Sequence, residues 1–164
     1  MTTAQEQIQT WRERDRRSRE RLREVAARAG SDDAIRSEPG GWTVAAALAH
    51  IGVWDSLTAA RWREARAAGQ LVPDELPQGI VDFVNAGTLP LLVTLPIEAG
   101  LAFAERGAEQ LASVLHSLPD EVLLEAKRLG RENLVDRSAH RTEHLDEIEA
   151  APQGSSSTTF PMAT

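Results

Sequence analysis

Near the N-terminus, Ile8, Trp11, Leu22, Val25, Ala26 and Ala29 recur at helical spacing, and charged residues fill most positions between them. The pattern predicts an amphipathic first helix that stops at Gly30, because glycine supplies the left-handed conformation that commonly closes a helix. Ser31-Asp32-Asp33 then offers loop or capping chemistry, and Ser37-Glu38-Pro39-Gly40-Gly41 interrupts regular structure. Thr43 suits the N-cap of a second helix, which carries Val44, Leu48, Ile51, Thr58 and Trp62 at three-to-four spacing and ends at Gly69. Ile80 to Ala86 reads as a third helix. Pro90 and Pro96 follow it, each removing a backbone donor, so two pieces are expected here. Pro96 with Glu98 fits the first turn of a helix from Ile97 to Leu115, with Leu101, Ala104, Ala108, Leu111 and Leu115 inward. After Pro119 the pattern gives a short acidic helix, a break at Gly130 and a last helix from Glu132 to Ala150. There is no repeat and no strand-like alternation of useful length. The expectation is an all-α chain, with one domain over 1–151 and a polar, disordered tail over 152–164.

Charge and composition narrow the partners. The formal net charge of -7 argues against nucleic acid, whose binding rests on neutralising phosphates with Lys and Arg. One stretch runs the other way: Arg12 to Arg28 holds eight arginines against Glu13, Asp15, Glu20 and Glu24. Their signs alternate at i,i+3 and i,i+4, as on a solvated helix face, and only one aromatic residue lies nearby for stacking. The chain has no cysteine, which excludes disulfides, thiolate zinc sites and a cysteine nucleophile. Any metal must be held by His, Asp, Glu or backbone. With no basic-then-apolar leader and no run near the ~20 apolar residues of a membrane span, a cytoplasmic protein is expected.

Four histidines carry the candidate chemistry. His140 and His144 stand at i and i+4 on the last predicted helix, so their imidazoles leave the same face one turn apart. That spacing suits chelation of one ion, and equally occurs by chance on surface helices. His50 is the natural third ligand, because it sits in the apolar second helix where an unpaired imidazole is awkward to bury. Glu143, Asp146 and Glu147 either orient those imidazoles or form the solvated side of the helix. His116, at a predicted helix end, fits a favourable charge on the negative dipole terminus and stays outside the site.

The order Trp42-Thr43-Val44, Leu48-Ala49-His50-Ile51, Trp54-Asp55 resembles the second-helix signature of the DinB/YfiT-like superfamily. The likeness extends to Asp82 and Asn85 and to the His-x-x-x-His of His140 and His144, covering Ile8 to Ala151. The resemblance implies an up-and-down-type four-helix bundle, often dimeric, in which three histidines matching His50, His140 and His144 bind zinc, nickel or iron. Several members are thiol-dependent transferases or isomerases that use mycothiol, bacillithiol or glutathione, including the mycothiol-dependent maleylpyruvate isomerase. This chain resembles only the bundle domain of that enzyme, without room for its additional C-terminal domain.

The leading expectation is therefore a small metal-dependent enzyme that activates a low-molecular-weight thiol, or water, for attack on an electrophilic metabolite or xenobiotic. Trp42, Trp54 and Asn85 are candidates to line its substrate pocket, against the plainer role of core packing for the tryptophans. Arg141 is a candidate to recognise a carboxylate, against a surface ion pair. Two other classes stay open: a metal-free four-helix-bundle hydrolase giving self-resistance to a reactive natural product, and a module that binds or sequesters a small ligand. Apolar positions on the first and third helices, beyond what one core needs, leave both monomer and homodimer open.

Overall fold

Thr43 opens the central helix of the molecule: its hydroxyl accepts a hydrogen bond from the Ala46 amide at 3.0 Å, as an N-cap should. The computed structural model describes residues 3–28 and 42–150. They form α1 (Ala4–Arg28), α2 (Val44–Ala67), α3 (Gln78–Leu92), α4 (Ile97–His116), α5 (Asp120–Arg128) and α6 (Ser138–Ala150), with one 3₁₀ turn at Glu132–Leu134. No strand occurs among the described residues. The expected stop at Gly30, the interruption at 37–41 and the tail at 152–164 lie outside them. Among the described residues, no helix is long and apolar enough to cross a membrane.

Four helices, α1, α2, α4 and α6, enclose one part of the core, α5 and the 3₁₀ turn take the place of α6 in the other, and residue pairings fix the helix directions. Arg14, Arg21 and Arg28 of α1 pair in order with Asp136, Asp146 and Glu149, so α1 and α6 run parallel. Gly100 of α4 meets Ala45 of α2 and Gly107 meets Gly52, so α2 and α4 run parallel as well. Between them α3 runs back along α2, joined by Trp54 to Asn85 and by Leu92 packed with Ala46 and Ala49. Counting α3, the long helices alternate in direction along the chain. The bundle itself contains two parallel pairs because α3 makes its return journey outside the core.

The α2–α4 seam is the tightest among the described helices. A Cβ built on Gly52 would sit 2.4 Å from the Phe103 carbonyl oxygen, and one on Gly107 would sit 2.4 Å from that of Gly52. Only glycine permits this approach, and it buries α2 almost all round: Val44, Leu48, Ile51, Ala59 and Trp62 are all inaccessible to solvent. Gly69 ends α2 as expected, with φ of 72° and the Gln70 amide bonded back to the Ala65 carbonyl at 2.8 Å.

Two expectations need correction. Pro90 does not divide the third stretch, which is one helix from Gln78 to Leu92. Pro90 lies in its final turn, where few intrahelical bonds remain to lose, and the break falls at Pro96, the N-cap of α4. The last helix starts at Ser138 rather than Glu132. The indole of Trp62 donates to the Leu134 carbonyl at 2.9 Å, and Asp136 accepts from the Ser138 amide at 3.0 Å, so tertiary bonds and a local cap delay the helix. The arginines of α1 lie on a solvated face with local i,i+3 and i,i+4 pairs, and Arg12, Arg14, Arg21, Arg23 and Arg28 also reach acids outside α1.

Candidate metal centre

Three imidazoles meet where α2 crosses α6. His50 is 5% exposed on α2, between Ala49 and Ile51, and faces His140 and His144, which leave α6 one turn apart. Ring centroids are 5.4 Å apart for His50 and His140, and 4.8 Å for the other two pairs. One ring nitrogen from each of the three lies within 4.8 Å of the others. Nδ1 of His50 and Nδ1 of His140 are buried without a hydrogen-bond partner. Nδ1 of His144 donates to Glu147 at 2.9 Å, which leaves its other nitrogen free and orients the ring as a carboxylate does for a ligating histidine.

This set fits a divalent cation. Burial, assisted by the charges of His144 and Arg137, pushes the His50 pKa down to about 3. Burial first, then Arg137 and the two other histidines, pushes His140 down to about 2. Both rings are therefore neutral and carry the lone pair a cation needs. An unpartnered ring nitrogen in a buried site is otherwise a cost without return.

The histidines open into a cavity of about 790 Å³ between α2, α3 and the approach to α6. Trp42, Trp54 and Asn85 line it, and Trp42 presents its edge to His50 with centroids 4.8 Å apart. The Trp54 indole donates to Asn85 Oδ1 at 3.0 Å, which ties α3 to α2 across the cavity wall. His116 is the last residue of α4 and lies apart from this site.

Arg141 is placed differently from the expectation: it neither lines the cavity nor forms a surface ion pair. Its side chain is 0% exposed and points into the bundle, donating to Asp55 Oδ2 at 2.7 Å, Asp15 Oδ1 at 2.6 Å and Ser18 Oγ at 3.0 Å. Burial alone would lower its pKa; Asp55 and Asp15 overcome that and hold it above the usual value. This charge cluster clamps α6 to α1 and α2 beside His140. Sequence reasoning missed Asp55 in this role, although a carboxylate in an otherwise apolar helix signals a buried partner. It also missed Arg61 and Arg137, both of which line the cavity. Arg61 could have been found by extending the spacing of His50, Trp54 and Thr58 along α2.

The fold and the site define a helical bundle with a candidate three-histidine metal centre. The family model of the DinB superfamily matches residues 14–146, and the chain belongs to that superfamily. Among curated proteins and solved structures, none matches the chain.

Proposed function

We propose that this chain is a metal-dependent enzyme in which His50, His140 and His144 hold zinc, nickel or iron, and a low-molecular-weight thiol or water attacks a small electrophilic metabolite or xenobiotic. The observation that carries this reading is the convergence of three imidazoles, two with orphaned buried nitrogens, on one cavity. A cation bound there supplies Lewis acidity and lowers the pKa of a neighbouring thiol or water. The protein's part is arrangement. Glu147 fixes the His144 ring, and Asp55 with Arg141 fixes the helix that carries His140 and His144. Trp42 and Trp54 give the histidine end an apolar wall that limits water. Mycothiol, bacillithiol or glutathione is the co-substrate in the thiol form of the proposal. The partner is then a small molecule in the cytoplasm, with neither nucleic acid nor membrane involved.

Elemental analysis of untagged protein, purified without added metal, tests the reading. Near-stoichiometric metal in the wild type, lost in both His50→Ala and His144→Ala, is the expected result. Protein that takes up no metal even after reconstitution overturns it. With the metal in place, turnover of a model electrophile with each of the three thiols, and without thiol, separates thiol transfer from hydrolysis.

A further inference from the structure

The cavity has a second chemical end. His50, Trp54, Thr58 and Arg61 follow one another at three- or four-residue steps on one face of α2, and all four line it. The eleven residue steps from His50 to Arg61 correspond to about 16 Å of helix rise. Arg137, one residue ahead of α6 and three ahead of His140, lines the same cavity.

The charge of these two arginines is under-compensated. Arg137 has an 11% exposed side chain, and its ion-pair partner, Oδ1 of Asp55, is 3.4 Å away. The other Asp55 oxygen accepts from Arg141 at 2.7 Å, so one carboxylate serves two guanidinium groups. Arg61 donates to the carbonyl oxygen of Asp74 and, among the described residues, forms no ion pair with a carboxylate. Burial, then the charges of Arg137 and Arg131, push the Arg61 pKa down; Glu75 and Asp74 act against the shift. Burial pushes Arg137 down too, despite Asp55. A cation at the start of α6 also opposes the helix dipole. The cavity's own carboxylates offset this only in part: Glu75 acts on Arg61, but Glu75, Glu143 and Glu147 are all exposed, and Glu147 is engaged by His144. Two cations held together in a concave wall at this cost create a place for an anion, and a guanidinium fork matches both oxygens of a carboxylate or phosphate.

We propose that Arg61 and Arg137 form an anion subsite, and that the small molecule acted on at the histidines carries a carboxylate or phosphate group that docks there. The second half rests on the metal-dependent reading above; the subsite does not. A ligand anchored at its acidic end has its other end directed along α2 toward His50, which is how a remote charge orients a reacting group.

Calorimetric titration of the full chain, treated with chelator and held at constant ionic strength, tests this with succinate and, separately, inorganic phosphate. One saturable site is expected for at least one of them, and the stronger of the two identifies the anion class. Arg61→Gln and Arg137→Gln should each weaken it tenfold or more, as loss of a charged hydrogen bond does. Arg63→Gln, an exposed change outside the cavity with the same loss of charge, should leave it unaltered. Because Arg137 touches the buried Asp55, Arg61→Gln decides the matter if Arg137→Gln does not fold. Absence of saturable binding for both anions, or equal affinity in Arg61→Gln and Arg63→Gln, overturns the subsite. Anion binding retained in His140→Ala, alongside metal loss, shows the two ends to be independent. Wild-type protein that binds the anion but no metal removes the metal reading alone, and protein that binds metal but neither anion removes the subsite alone.

Discussion

Asp55 has no access to solvent and holds two arginines, one of which carries the helix of His140 and His144. Removing one member of a buried pair leaves the other charge uncompensated, at a cost of about 3–5 kcal/mol. Asp55→Asn is therefore expected to cost at least about 3 kcal/mol in urea unfolding, and any folded fraction should bind metal at least about tenfold more weakly. The histidines give a separate signature. An unfolded histidine protonates near 6.5, whereas His50 and His140 resist protonation until about 3 and about 2. Below 6.5 the unfolded chain therefore binds more protons than the folded one. Stability of the metal-free protein is full above that pH and falls as the pH drops, by up to about 1.4 kcal/mol per pH unit for each ring. Urea midpoints between pH 7 and 4 will show the decline, and His140→Asn should halve its slope. The three histidines were legible in sequence because helical spacing and an imidazole in an apolar helix are local facts. The role of Arg141 was not, because its acceptors come from α1 and α2, far away along the chain.

Helices are the next scale, and glycine separates two kinds of them. Gly107 lies against the backbone of Gly52, so Gly107→Ala forces α2 and α4 apart and is expected to cost about 1–3 kcal/mol. Gly87 in α3 has open space where a Cβ would stand, and Gly87→Ala should stabilise the protein by about 0.5–1 kcal/mol. Thermal unfolding of the two variants under one buffer will show shifts of opposite sign. Capping and punctuation explain which boundaries the sequence revealed. Thr43, Gly69 and Pro96 act through their own backbone and were readable. The start of α6 depends on an indole from α2 taking the Leu134 carbonyl, a tertiary bond with no local trace. Pro90 misled because its effect depends on how much helix follows it, and only two residues do.

For the molecule as a whole, sequence periodicity gave the all-helical class but not the placement of α3 outside the core, which follows from how closely α2 and α4 pack. That placement distributes rigidity unevenly. The α2–α4 pair is locked at backbone distance, while α3 buries only Leu92 and leaves Ile80, Phe83 and Leu91 exposed. Amides of α2 and α4 should therefore exchange with deuterium only on global unfolding, and those of α3 through smaller openings, by orders of magnitude sooner. Since α3 is also one wall of the cavity, joined to α2 through Trp54 and Asn85, the wall beside the histidines is the least buried of the described helices. Under the proposed function, a substrate wider than the resting cavity needs only α3 to give way. Diversification of what this scaffold accepts has its least costly route along that helix, where changes in size and polarity leave the glycine seam and the histidines untouched.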